Sequence, residues 1–207
     1  MASWECGFGG NWVDFPDLSN CSRIDTNQAI EELNQPSSVP SDVLGKLYQN
    51  VTNESNLGSG DIKNLINVLE EALKVQNDRL DNAQADNPTD YADSFTKKSL
   101  EMVSEILERP QTWFGLPQDT KNDEITKVQN NLDQVAKSLL KNTDQNEHSY
   151  NSGGVVLKVL KNFESQADFV NSNGDQISVK AEGQLESSIS FLGFTSLACI
   201  IDNRFEW

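Results

Sequence analysis

The spacing of apolar residues changes its period near residue 150, and this change constrains the fold more than any other feature of the sequence. Before it, apolar side chains recur at every third or fourth position, which is the period of an α-helix with one buried face. After it, they alternate with polar side chains, as in a half-buried β-strand. Helices followed by strands favour an α+β fold. We therefore expect a helical subdomain over residues 40–150 and a β subdomain over residues 151–207.

About four amphipathic helices are predicted in the first part. Asp61 can cap one of them. A shorter helix is predicted from Ser41 to Tyr48, and a third from Asp90 to Glu108 ends before Pro110 because the residue preceding a proline avoids the α region. Two of the helices carry clear apolar stripes, which we expect to pack together: Ile62, Leu65, Leu69 and Leu73 in one, and Ile125, Val128, Leu132 and Val135 in the other.

Short β-strands are predicted in the second part, around residues 155–160, 177–180, 188–191 and 197–201. The polar stretch of residues 142–152 ahead of them is expected to be a loop. So few strands would leave a sheet edge and a sheet face uncovered. Cys199 lies in the last apolar run and is expected to be a small buried side chain.

The charge of the chain excludes several classes of function. Its 207 residues include 32 Asp and Glu against 16 Lys and Arg, so the formal net charge is −16. Proteins that bind nucleic acids or anionic membranes normally present a basic face, which such a surplus of carboxylates disfavours. The sequence has no apolar run of about 20 residues that could span a membrane, and its first residues do not form a signal peptide.

The N-terminal region differs in composition from the rest of the chain. Residues 1–22 hold two of the three cysteines and two of the four tryptophans, without a helical or strand period. We interpret them as the remnant of a small disulfide-type module. A direct bridge between Cys6 and Cys21 is the simplest pairing, and it would stabilise the fold by about 3 kcal/mol. Residues 23–39 contain Asn34, Pro36 and adjacent serines, which are typical of a linker.

Three features together resemble the adhesion G-protein-coupled receptors, with latrophilin-like members the most similar in character. Cys6-Gly-Phe-Gly-Gly-Asn-Trp12 and Pro16-Asp-Leu-Ser-Asn-Cys-Ser22 resemble the end of a hormone-receptor (HormR) domain. The helical block is similar to the helical subdomain of a GPCR autoproteolysis-inducing (GAIN) domain, and Trp113 after a helix-ending proline fits it. Gly154-Val-Val-Leu-Lys-Val-Leu160 resembles the entry into the β part of that domain.

The resemblance implies a domain assignment. Residues 1–22 would end a HormR domain, residues 23–39 would link it onward, and residues 40–150 would be the GAIN-like helical subdomain. Residues 151–207 would begin an antiparallel β-sandwich and would be an incomplete β subdomain. In the HormR domain the last two cysteines pair with earlier ones, which this chain lacks, so Cys6 and Cys21 are either bridged to each other or unpaired.

The resemblance also implies a function. The chain would be a noncatalytic extracellular segment of such a receptor, at the outer face of the plasma membrane. It would scaffold adhesion and signalling, with protein partners or ligands at the cell surface and the rest of the receptor as its partners. No cofactor is expected. The alternative is a standalone acidic helical module that binds protein partners through a helix groove.

Catalysis is not expected. Receptors of this family cleave themselves at His-Leu-Thr or His-Leu-Ser, a motif that is absent from the chain. The single histidine, His148, is followed directly by Ser149, and its polar neighbours predict an exposed histidine in a loop. Self-cleavage needs an activated hydroxyl and a strained bond, so we expect none at Ser149. No other set of nucleophile, base and acid converges in the sequence.

The remaining candidates are sites of modification, metal binding and packing. Asn20, Asn50 and Asn53 begin Asn-x-Ser/Thr triplets and could carry glycans if the parent protein enters the secretory pathway. The last two are expected in a polar loop. The acidic residues Asp81, Asp86 and Asp90 lack the spacing of a calcium loop, and the scattered cysteines do not predict a zinc site, so no metal is expected. The pair Trp113-Phe114 is predicted to be a packing anchor over the helices.

Overall fold

The computed structural model describes residues 17–145, 147–153, 155–161, 166–170, 176–180, 189–192 and 195–202. Six helices precede the strands in this part of the chain, and the fold is α+β as predicted. The helices are α1 (Asn27–Leu33), α2 (Pro40–Asn53), α3 (Ser59–Asp81), α4 (Pro88–Leu107), α5 (Pro110–Trp113) and α6 (Gln118–Lys141).

The strands form two sheets. They are β1 (Glu147–Ser152), β2 (Val155–Lys161), β3 (Gln166–Val170), β4 (Gln176–Lys180), β5 (Ile189–Leu192) and β6 (Thr195–Asp202). The larger sheet has the order β1-β2-β6-β5, while β3 and β4 pair with each other. The pairing is antiparallel except between β2 and β6, which are parallel with Val155 opposite Ser196. The expected sandwich stays a prediction.

Local signals explain where the longer helices begin. Pro40 and Pro88 occupy the first turns of α2 and α4, where the missing N–H of proline costs no hydrogen bond. The Asn87 side chain accepts a hydrogen bond from the Asp90 N–H and caps α4. At the other end of α4, Glu108 and Arg109 separate it from α5, which begins at Pro110. The predicted end of this helix before Pro110 is confirmed.

The core lies among the four long helices. The predicted stripe of α3 is buried in it, with Ile62, Leu65 and Leu69 fully buried and Leu73 5% exposed. In the stripe of α6, Val128, Leu132 and Val135 are at most 1% exposed, while Ile125 at its start is only partly buried. Phe95, Met102 and Ile106 of α4 belong to the same buried cluster. Burying an aliphatic side chain of this size contributes about 1.5–3 kcal/mol. Burial of the two stripes therefore stabilises the helical block, together with the buried side chains of α2 and α4.

The larger sheet is attached to the helices through β1 and β2, and also through β6, which contacts α6. Strands β1 and β2 both contact α4, and β2 also contacts α6. In β2, Val155, Leu157 and Val159 are buried on one face and Val156 is buried on the other. This burial on two faces explains why β2 has a nearly continuous apolar run instead of a strict alternation.

Four elements, α1, α5, β1 and β3, lie where the sequence predicts no helix or strand. Helix α1 falls within the stretch predicted to be a linker, and Leu33, which is 2% exposed, anchors it to the core. Strand β1 occupies the second half of the predicted loop 142–152, where only two of its side chains, His148 and Tyr150, are buried. Both elements are too short, and bury too few apolar residues, to produce a periodic signal.

Candidate functional site

One buried carboxylate connects the N-terminal segment to the helical block. Asp61 is completely buried at the third position of α3. Its Oδ1 accepts hydrogen bonds from the Arg23 and Ile24 N–H groups, both at 2.8 Å, and from the Ser22 hydroxyl at 2.5 Å. Its Oδ2 accepts from the Gly58 N–H at 2.7 Å. Four donors and the N-terminal end of the helix dipole thus stabilise the negative charge.

Two glycines allow the segment to approach α3 this closely. The Gly60 N–H donates to the Cys21 carbonyl oxygen at 2.9 Å. A Cβ atom added at Gly58 would lie 2.3 Å from that oxygen, and one at Gly60 would lie 2.8 Å from it. Such contacts are too short for any side chain, so glycine is required at both positions.

The loop after α5 completes this arrangement. The Leu18 N–H donates to the Gly115 carbonyl at 2.8 Å, and the Ser59 hydroxyl donates to the Thr112 carbonyl at 2.6 Å. A Cβ at Gly115 would lie only 2.2 Å from the Ser59 Oγ. We call the contact among residues 17–24, residues 58–61 and residues 112–115 the α3 joint. It brings three distant parts of the sequence together.

The two aromatic residues at the C-terminal end of α5, Trp113 and Phe114, have different environments. Trp113 is 8% exposed, and its Nε1 donates to the Ile106 carbonyl at 3.0 Å, which confirms the predicted packing anchor. Phe114 is 65% exposed, so the same prediction was wrong for it. Its ring lies 5.9 Å from the Lys121 Nζ, within the range of a cation–π contact. Only one side of the short helix faces the core, and Trp113 occupies it.

A second polar cluster lies where β1 meets the helices. The Tyr150 hydroxyl donates to Asp93 Oδ1 at 2.7 Å and lies 3.2 Å from His148 Nδ1. The other ring nitrogen, Nε2, lies 2.8 Å from the Thr143 Oγ1. Lys97 forms an ion pair with Asp93 Oδ2 at 2.6 Å. The cluster therefore links α4, the loop after α6 and β1.

The donors and acceptors of this cluster assign the proton of His148. Because the Tyr150 hydroxyl donates to Asp93, its oxygen can accept from an Nδ1–H of His148. The Nε2 then accepts from the Thr143 hydroxyl, which itself accepts from the Gln145 N–H at 3.2 Å. A neutral histidine with its proton on Nδ1 satisfies every contact in this chain.

The surroundings favour that neutral form. Burial lowers the pKa of His148, and the charge of Asp93 offsets only part of this effect. Burial and the hydrogen bond to Asp93 raise the pKa of Tyr150. Burial alone would raise the pKa of Asp93, but the hydrogen bonds from Lys97 and Tyr150 outweigh it and the net pKa is lowered.

The structure corrects the predicted environment of His148. It was expected in a solvated loop, but it lies in β1 and only 9% of its surface is exposed. In β1, His148 and Tyr150 face the helices while Glu147, Ser149 and Asn151 face outward. This alternation could have indicated a strand, but the buried positions hold polar side chains, so the sequence shows no alternation of apolar and polar residues here. The absence of self-cleavage at Ser149 stays a prediction.

The candidate cysteines and glycosylation sites are not brought together. Cys21 is exposed in the α3 joint, and Cys6 lies outside the described residues, so their pairing stays a prediction. Asn20, Asn50 and Asn53 are all exposed. Asn50 and Asn53 lie in the last turn of α2, so the predicted polar loop was wrong there. Cys199 lies in β6, as predicted.

The described residues contain no group of three or more His, Cys, Asp or Glu side chains that could hold a metal ion. Asp81 forms an ion pair with Lys141, and Asp90 accepts a hydrogen bond from Asn87. In the same part of the chain, no helix combines the length and the apolar character that crossing a membrane requires.

Comparison of the chain with models of known protein families finds no match, and comparison with curated proteins finds none. Any function must therefore be argued from the α3 joint, the cluster at β1 and the sequence motifs.

Replacing Asp61 tests the α3 joint. We expect Asp61→Ala to lower the free energy of unfolding by at least about 3 kcal/mol, because it leaves several buried donors without an acceptor. Asp42→Ala is the matched control, since Asp42 is an exposed carboxylate in the first turn of α2. Losing its interaction with the helix dipole should cost about 0.3–1 kcal/mol. Equal effects of the two substitutions in chemical denaturation would contradict the role of Asp61.

The cluster at β1 predicts a dependence of stability on pH. The pKa of folded His148 lies below its unfolded value of about 6.5, so the unfolded chain binds a proton first as the pH falls. The free energy of unfolding should therefore decrease below about pH 6.5. Asp93, whose pKa is also lowered, contributes a loss only below about pH 4.

Because the chain has one histidine, a single substitution tests this prediction. Denaturation of His148→Asn between about pH 7 and pH 5 should show a smaller decrease than the wild type. Ser149→Ala, at an exposed neighbouring position, should keep the wild-type decrease. An unchanged decrease in His148→Asn would show that other groups cause it.

Proposed function

We propose that the chain is a noncatalytic extracellular segment of an adhesion-type G-protein-coupled receptor, in which it joins a HormR-type module to a GAIN-type helical subdomain. The observation that carries this proposal is the α3 joint. The residues that resemble the closing motif of a HormR domain, from Asp17 to Ser22, are bonded into the helical block instead of being separated from it by a free linker.

The proposed role is mechanical. A force on residues 17–24 would act on several hydrogen bonds at once, because Arg23, Ile24 and Ser22 share the Asp61 carboxylate. Helix α3 packs on α6, which contacts β2 and β6. The N-terminal module would thus be connected to the β subdomain through packed helices, without a flexible linker between the two.

The expected partners and location follow from the same proposal. The segment would lie outside the cell at the plasma membrane, bound covalently to the rest of its receptor and facing protein ligands or adhesion partners. The exposed asparagines Asn20, Asn50 and Asn53 are compatible with glycans at that location. The negative charge of the helical block is explained by its solvated surface, so the proposal requires no additional partner to account for that charge.

Sequencing of full-length transcripts tests this proposal. We expect the reading frame to continue from Trp207 into further strand-type segments, a His-Leu-Thr or His-Leu-Ser motif, and seven apolar spans of about 20 residues each. Transcripts that all end at Trp207, without such a continuation, would contradict the receptor assignment. They would favour the standalone acidic helical module that binds protein partners.

A further inference from the structure

The α3 joint contains one of the three Asn-x-Ser/Thr triplets. Asn20-Cys21-Ser22 lies within residues 17–24, and Asn20 is exposed. The Cys21 N–H donates to the Leu18 carbonyl at 2.8 Å, which places Asn20 in a tight turn. The asparagine of the triplet is therefore accessible, while the residues that follow it are held against the helical block.

The hydroxyl of Ser22 is engaged in the joint, although Ser22 is exposed as a residue. It donates to Asp61 Oδ1 at 2.5 Å and accepts from Asn64 Nδ2 at 3.1 Å. A hydroxyl has one hydrogen to donate, and here the buried carboxylate takes it. The middle residue is held as well, because the Gly60 N–H donates to the Cys21 carbonyl at 2.9 Å.

Transfer of an N-linked glycan needs both ends of such a triplet. The asparagine Nδ2 attacks the anomeric carbon of a sugar that is carried on a lipid diphosphate. The bond from Nδ2 to this carbon forms and the bond from the carbon to the diphosphate oxygen breaks. The diphosphate leaves with the electron pair, and an N–H proton passes to a base of the transferase. The transferase also binds the hydroxyl of the third residue, which is why the triplet ends in Ser or Thr.

The joint and the transferase therefore compete for the same groups. While the Ser22 hydroxyl is bound to Asp61 and the Cys21 carbonyl to Gly60, the transferase can take up the triplet only after a local opening of the joint. Asp61 follows Ser22 by 39 residues. A chain that enters a compartment from its N-terminus thus presents the triplet before its partner on α3 arrives.

We propose that formation of the α3 joint closes Asn20 to N-glycosylation, so that this asparagine accepts a glycan in the unfolded chain and not in the folded one. A glycan attached beforehand would stay on the surface of the joint, because Asn20 is exposed. The use of this closure in a cell rests on the extracellular location proposed above, whereas the closure itself does not.

The other two triplets are held by a different contact. Arg109 donates to the carbonyls of Val51 and Glu54, which are the middle residues of the triplets that begin at Asn50 and Asn53. Opening the α3 joint leaves this contact in place. The two sites therefore serve as internal controls in the same molecule.

The folded full chain can be incubated in reducing buffer with a purified oligosaccharyltransferase and its lipid-diphosphate sugar donor, and the occupancy of each asparagine followed by mass spectrometry. Gly60→Ala places a Cβ 2.8 Å from the Cys21 carbonyl oxygen and should open the joint, whereas alanine suits helix α3 itself. We expect the rate at Asn20 to rise at least about tenfold, as a change of about 1.4 kcal/mol in joint opening would produce. The rates at Asn50 and Asn53 should stay unchanged.

Two further variants complete the test. Gly45→Ala is the matched control, because a Cβ there would lie 3.7 Å from the Lys98 side chain, which is an ordinary contact. It should be modified like the wild type. Asn64→Ala removes one hydrogen bond to the Ser22 hydroxyl and should raise the rate at Asn20 about two- to tenfold. This variant decides the question if circular dichroism shows that Gly60→Ala does not fold.

Two results would overturn the proposal. One is a folded wild-type chain that is modified at Asn20 as fast as the joint variants. The other is a lack of modification at Asn20 in every joint variant, which would show that the joint is not what closes the site. Because the reaction uses purified components, a failure of the receptor assignment would change neither result.

Discussion

The buried carboxylate of Asp61 is the interaction on which the N-terminal half of the structure depends. It carries a negative charge at a completely buried position, and no cation in the described residues lies within ion-pair distance of it. Only backbone N–H groups, one hydroxyl and the helix N-terminus compensate the charge. Because these donors come from two segments, residues 22–24 and Gly58, that are far apart in the sequence, satisfying the charge also fixes their relative position.

The consequences extend beyond the carboxylate. Once residues 21–24 lie across the start of α3, the chain can place α1 against the core, and Leu18 reaches the loop after α5. This arrangement explains why glycine is needed at positions 58, 60 and 115, since at each of them a Cβ atom would collide with the neighbouring segment. In a similar way, the hydrogen bonds that join Asp93, Tyr150 and His148 attach β1 to helix α4.

The parts of the fold that follow from periodicity could be predicted, and those that follow from polar contacts over long distances could not. The stripes of α3 and α6 are visible because four apolar side chains in each repeat with the helical period. Helix α1 and strand β1 bury only one or two side chains each, such as Leu33 in α1 and Tyr150 in β1. The local sequence pattern therefore does not predict them. Asp61 was predicted to cap the start of α3, but the helix begins two residues earlier with Gly58 as its N-cap, and Asp61 lies at the third helical position. Its hydrogen bonds to residues 22–24 depend on tertiary contacts, which the local sequence does not show. His148 resembled a loop residue because its partners, Asp93 and Thr143, are in other elements.

Native-state hydrogen exchange at the α3 joint tests the central claim most directly. If Asp61 fastens residues 17–24 to the helical block, the N–H groups of Arg23, Ile24 and Gly58 should open with the same free energy as the Leu69 N–H in the middle of α3, within about 1 kcal/mol. Rates of exchange for Arg23 and Ile24 that approach those of exposed loops, while Leu69 stays protected, would show that the segment detaches on its own and would contradict the account.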